Sequence, residues 1–178
     1  MTLTLLLDMD DTLLTNDMDR FLPAYLNKLS MHLSNHVAPE KMLTALMAGT
    51  RAMIENKHPD QRLRTVFDDI FYPGIGHPKE SLSNQINDFY ESVYPALQAV
   101  TEVRPQAVEF VNWAFKQGYK IAITTNPLFP RTAIEQRLAW AQLPVTTYPF
   151  ALISSYETFH FAKPNPAFVA EALAQLEW

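Results

Sequence analysis

Cysteine is absent from this 178-residue chain. That absence removes disulfides, thiolate nucleophiles and Cys-ligated zinc together, and a cytoplasmic protein is the simplest reading. Glycine is scarce, with 4 residues against 13 prolines, so turns depend on fixed proline φ angles more than on backbone freedom. Basic residues form no stripe. The 14 Lys and Arg are scattered among 19 Asp and Glu, for a net charge of -5, which argues against a nucleic-acid partner. Long apolar runs are missing too: Leu3 to Leu7 is closed by Asp8, too short for a signal peptide or a membrane span. No internal repeat and no low-complexity tract is present. With 48% hydrophobic and 19% charged residues, the composition is that of a soluble globular chain.

What is present alternates. Leu3 to Leu7 reads as a buried central strand that runs into the polar Asp8-Met9-Asp10-Asp11-Thr12. Pro105 opens a helix over Gln106 to Gln117, Gly118 closes it, and Tyr119 to Ile123 is a second strand. Arg131 to Trp140 reads as a helix, and Phe150 to Ile153 as a third strand leading into Ser154 and Ser155. Strands separated by helices predict an α/β fold with a Rossmann-like parallel sheet. Its ligand crevice should lie at the carboxyl ends of the strands.

Between Leu14 and Thr101 the period becomes helical, in Phe21 to Leu33, Lys41 to Ile54, Leu63 to Phe71 and Leu82 to Val93, with a loop at Tyr72 to Pro78 and no strand. The expected organisation is a catalytic core of residues 1–14 and 102–178 with an all-helical cap inserted over residues 15–101.

Asp8 and Asp10 stand two apart at a strand end, so their side chains project to the same side. Two close carboxylates repel, and a shared hard divalent cation or a shared proton relieves this; both suit phosphoryl transfer. Leu7-Asp8-Met9-Asp10-Asp11-Thr12-Leu13 resembles the first motif of the haloacid dehalogenase superfamily. Ile121 to Asn126 is similar to its second motif, an apolar strand ending in Ser or Thr, and Lys163-Pro164-Asn165-Pro166 to its third. The resemblance runs from Thr2 to the end of the chain.

That resemblance implies a magnesium-dependent phosphohydrolase acting on a small phosphorylated metabolite. Asp8 would attack phosphorus to give an aspartyl-phosphate, and Asp10 would protonate the leaving oxygen and later activate water. The Asp8 carboxylate and the Asp10 backbone carbonyl would ligate Mg2+. The Thr125 hydroxyl and the Asn126 N–H would hold phosphoryl oxygens, and Lys163 would balance the charge on Asp8. A carboxylate attacks an anionic phosphate only with positive charge between them, and magnesium with Lys163 supplies it. Dehalogenases of the superfamily lack the second acid of the first motif, so Asp10 favours a phosphate ester. Asp11 stands where many members have Gly. Asn165 and Pro166 should start a helix just beyond Lys163.

Two other functions fit the same motifs: a phosphomutase, and a non-catalytic phospholigand-binding protein. The family's fourth motif, an apolar strand ending in acids, is not found after Lys163, where a helix-like stretch runs from Ala167 to Trp178. An incomplete core, a truncated chain, weak metal binding and self-association through an open sheet edge are the corresponding expectations. Other features read as structural. His32 and His36 lie on a solvated helix face, as do Asp68 and Asp69. Met42, Met47 and Met53 fill the core of the cap. Trp113 and Trp140 pack against the sheet, and Gly74 and Gly76 make a turn.

Overall fold

The computed structural model describes residues 3–177; Thr2 and Trp178, the ends of the expected resemblance, lie outside them. In chain order the elements are β1 (Thr4–Leu7), β2 (Leu14–Thr15), α1 (Met18–Leu33), α2 (Pro39–Glu55), α3 (Leu63–Ile75) and α4 (Lys79–Asp88). A π-helical turn, Phe89–Val93, and a 3-10 stretch, Tyr94–Val100, follow. Then come β3 (Glu102–Val103), α5 (Pro105–Lys116), β4 (Lys120–Ile123), α6 (Arg131–Trp140), β5 (Leu152–Ile153) and α7 (Ala167–Gln175). The fold is α/β and Rossmann-like, with a parallel sheet in the order β1-β4-β5.

The open edge expected from the missing fourth motif falls at β1, although its apolar run alone reads as a central strand. β4 is the middle strand, with Ile121, Ala122 and Ile123 buried. Among the described residues β1 pairs with β4 alone, and Leu6 is 38% exposed. An apolar run reports that side chains avoid water, but it does not report how many partners a strand has. β5 is also shorter than the apolar run suggests: Phe150 and Ala151 precede it, although Ala151 N–H still donates to the Ile121 carbonyl at 2.7 Å.

The helical lobe hangs from β2 and β3, an antiparallel pair with Leu14 opposite Val103 and Thr15 opposite Glu102. No strand was expected at Thr15, because two residues are too few to show a period. Arg104 Nε donates to Thr15 Oγ1 at 2.9 Å and fastens the pair from the core side. Asp17 caps α1 by accepting from Asp19 N–H at 3.0 Å, and Pro39 starts α2 with the φ a first turn needs.

The expected loop at Tyr72 to Pro78 is a correction. α3 continues through Pro73 and Gly74 to Ile75 and stops at Gly76, whose φ of +73° suits a helix end. Gly74 marks helix packing: a Cβ there would lie 2.8 Å from Ala45 Cβ on α2. Two further expectations fail. Trp113 is 48% exposed and Met47 is 52% exposed, whereas Trp140, Met42 and Met53 are core residues as expected. Trp140 stacks on Tyr94 at 5.4 Å.

A second apolar cluster joins the lobe to the far end of the chain. Met53 and Leu63 pack with Phe159, Ala162, Phe168 and Ala172. Backbone bonds run alongside, from Leu63 N–H to Phe159 O and from Arg64 N–H to Tyr156 O, both 2.8 Å. Asn56 Nδ2 also donates to His160 O at 2.8 Å. Among the described residues no helix is long and apolar enough to cross a membrane.

Candidate active site

Parallel pairing sets Leu7 beside Ile123 and Ile123 beside Ile153, so the loops after all three strands open on one rim. Thr124 N–H donates to Leu7 O at 2.7 Å and holds the first two loops together. Ser154 Oγ donates to Thr125 O at 2.6 Å and ties in the third. Lys163 reaches this rim from its own loop: its Nζ lies 3.1 Å from Asp8 Oδ1. Asn126 Oδ1 accepts from Lys163 N–H at 3.1 Å, so the end of β4 anchors the lysine loop. Asp8, Thr125, Asn126 and Lys163 are thus brought together. Asn165 Oδ1 accepts from Ala167 N–H at 3.0 Å and begins α7 just past the lysine, as expected.

Glu171 has a role the sequence did not suggest. Its carboxylate accepts from the His160 and Phe161 N–H groups at 3.0 to 3.2 Å and contacts His160 Nδ1 at 2.6 Å. It braces the approach to Lys163 from α7.

Asp10 is held differently from Asp8. The turn after β1 places Asp11 at a φ of +54°, where glycine is favoured and Asp is tolerated. Its carboxylate accepts from Asn16 N–H at 3.1 Å and faces Arg104 at 3.6 Å, so side-chain bonds sustain the loop shape without glycine. Asn16 is buried and donates through Nδ2 to Asp10 Oδ1 at 2.8 Å. Arg137 Nη1 donates to both Asp10 oxygens, at 3.0 and 2.8 Å.

Arg137 is fully buried on α6 and lies 4.6 Å over the Phe129 ring. Burial works against its charge, but the neighbouring Tyr94 phenol and Asp10 carboxylate more than offset this, so its pKa lies above the ordinary arginine value. Among the described residues its Nε and Nη2 have no hydrogen-bond partner. Sequence reasoning missed Arg137 and Asn16. A signal for Arg137 existed: with Ala133, Ile134 and Leu138 it falls on the buried stripe of α6, and a buried arginine demands an acid.

Behind Phe129 lies a cavity of about 200 Å³ between the lobe and the rim. Tyr25 and Tyr90 bond to each other across its wall at 3.0 Å. Burial pushes the Tyr25 hydroxyl up to about 12 and that of Tyr90 well above the ordinary phenol value, so both remain neutral.

Among the described residues no group of three or more His, Asp or Glu could hold a metal. His32 Nε2 contacts Gln85 O at 3.0 Å and Asp88 at 3.4 Å, and Asp68 pairs with Lys79 at 2.6 Å. The rim itself fits a sparsely held hard cation. Both Asp10 carboxylate oxygens are engaged, so they are not free for a metal; the Asp8 carboxylate and the Asp10 backbone carbonyl are the donors that the family resemblance implies. Mg2+ takes few protein ligands and completes its shell with water and substrate phosphate.

The family model described as haloacid dehalogenase-like hydrolase matches residues 2–178. No curated protein sequence matches the chain.

Proposed function

This chain belongs to the haloacid dehalogenase-like hydrolases, and we propose that it hydrolyses a small phosphomonoester through an aspartyl-phosphate on Asp8. The observation that carries this reading is the Lys163 Nζ contact with Asp8 Oδ1, 3.1 Å, at the end of β1 beside Thr125 and Asn126. An Asp8 oxygen attacks phosphorus while the ester oxygen leaves with a proton from Asp10. Water then attacks the aspartyl-phosphate, gives a proton to Asp10, and releases inorganic phosphate and the Asp8 carboxylate. Thr125 Oγ1 and the Asn126 N–H hold the transferring oxygens, and Lys163 offsets their charge. Mg2+, held by the Asp8 carboxylate and the Asp10 carbonyl, would lower the repulsion between carboxylate and phosphate.

Asp10 Oδ1 is held by both Asn16 and Arg137, whereas among the described residues Oδ2 is held by Arg137 alone. Oδ2 is therefore the oxygen assigned to proton transfer. The same contacts favour one rival, a phospholigand-binding protein without turnover, because both oxygens are occupied in this conformation. Magnesium-dependent release of phosphate from an aryl phosphate supports the hydrolase. Tight binding of a phosphate analogue without release supports the rival.

A further inference from the structure

The cavity behind Phe129 is walled on the lobe side by Leu26, Phe67, Ile86 and Tyr90, and on the core side by Leu128 and Phe129. The core-side wall grows out of the candidate site. Leu128 N–H donates to the Asn126 carbonyl at 2.8 Å, so the segment that carries Asn126 turns directly into the cavity wall. Arg137, which grips Asp10, covers the Phe129 ring at 4.6 Å. Met18, on the rim of the cavity, has its sulfur 3.9 Å from Asn16 Nδ2, and Asn16 holds the same carboxylate. Asp10 is thus linked to two residues of the cavity wall, to Phe129 through Arg137 and to Met18 through Asn16. Part of the wall of this apolar space therefore rests on the same two groups that hold Asp10.

We propose that this cavity receives the leaving group, and that the substrates are phosphate esters of apolar alcohols or phenols with one ring or a short branched chain. The inference rests on the phosphohydrolase reading of the rim. Size supports it: an apolar cavity of ~150 Å³ holds benzene, and this one measures about 200 Å³. Polarity supports it as well. Asp68, the one carboxylate on the wall, is closed off by Lys79 at 2.6 Å, and the Tyr25 and Tyr90 hydroxyls bond to each other. Thr50, Tyr72 and Tyr156 add only scattered hydroxyls. A sugar or polyol placed here would leave several hydroxyls unpaired, which a mostly apolar wall penalises.

The test uses two non-hydrolysable probes on the full chain in magnesium-containing buffer, phenylphosphonate and methylphosphonate, titrated by calorimetry. Phenylphosphonate is expected to bind at least ~10-fold more tightly, and equal affinities overturn the proposal. Ile86→Trp, which fills the cavity, should erase that preference while leaving methylphosphonate affinity unchanged. Leu26→Trp is the second filling variant should the first fail to fold, and a preference that survives in a folded filling variant overturns the location. In the kinetic arm, phenyl phosphate should exceed glycerol 3-phosphate by about 100-fold in kcat/KM. If neither ester turns over but the phosphonate preference holds, the hydrolase reading falls and the pocket stands. If both esters turn over equally and both phosphonates bind equally, the pocket falls and the hydrolase stands.

Discussion

The strand-end rim and the cavity above it are built on opposite terms. On the rim, few polar groups each have a named partner: Asp8 with Lys163, Asp10 with Arg137 and Asn16, and Asn126 with the Lys163 backbone. The cavity is made mostly of aromatic and branched side chains, with the Tyr25–Tyr90 hydroxyl pair and the Lys79-paired Asp68 as polar exceptions. A directional network fails when one member is lost, whereas an apolar wall adjusts its shape. Loss of the Asp8 carboxylate should therefore affect every substrate alike, loss of Asp10 should follow the leaving group's basicity, and changes in the wall should alter ratios according to the shape of the organic part.

The largest expected effect is at the rim. Asp8→Asn should reduce phosphate release to background with every ester, with circular dichroism unchanged, because an amide cannot form the acyl-phosphate. Turnover like that of the parent chain would remove Asp8 as nucleophile. Asp10→Asn should cost ~10²-fold or more, and most with poor leaving groups. An equal loss for all leaving groups would argue against protonation by Asp10.

Arg137→Leu tests whether the rim depends on a buried partner from α6. Removing one member of a buried pair typically costs about 3–5 kcal/mol, and the partial exposure of Asp10 places the expected loss near the lower end. Urea unfolding measures it, and Arg137→Leu with Asp10→Asn together should cost less than the sum of the two.

The smallest effect belongs to the wall. Tyr25 and Tyr72 are both pushed up to about 12, chiefly by burial. Raised phenols stabilise the fold fully below the unfolded value near ~10, and that stability is lost as pH rises toward 12. The urea midpoint should fall between pH 9 and pH 11.5, by a change on the order of 2 kcal/mol for the fully buried Tyr25. An unchanged midpoint would mean that these phenols meet solvent in the native state.

Much of the rim was legible because strand ends announce themselves. Apolar runs stop at Asp8, Thr124 and Ser154, and a parallel sheet gathers such stops on one edge. The α6 boundaries, Arg131 and Trp140, also match the periodicity. Arg137 escaped because a charge on a helix is ordinarily solvated, and only its place on the buried stripe says otherwise. Pro73 and Gly74 resembled a loop because local propensity marks them as breakers, while packing of α3 on α2 keeps them helical. Trp113 and Met47 were misplaced because apolar character does not fix the face a side chain occupies. The β2–β3 pair rests on contact between residues nearly ninety positions apart, which no local window contains.

The cluster that joins Met53 and Leu63 to Phe159 and Phe168 has a consequence for how a substrate gets in and out. The loop carrying Lys163 is tethered from both directions, by Asn126 on the sheet side and by Asn56 and Leu63 on the lobe side. A lobe swinging away as a rigid flap would drag on Phe159 and His160, and so on the lysine beside Asp8. Opening for traffic and disarming of the nucleophile would then be a single event, leaving no gaping conformation in which Asp8 stays charge-compensated while water has free access. The Leu63 and Arg64 amides, bonded across that seam, are its natural reporters. Their hydrogen exchange should track the rate at which the site admits and releases small molecules.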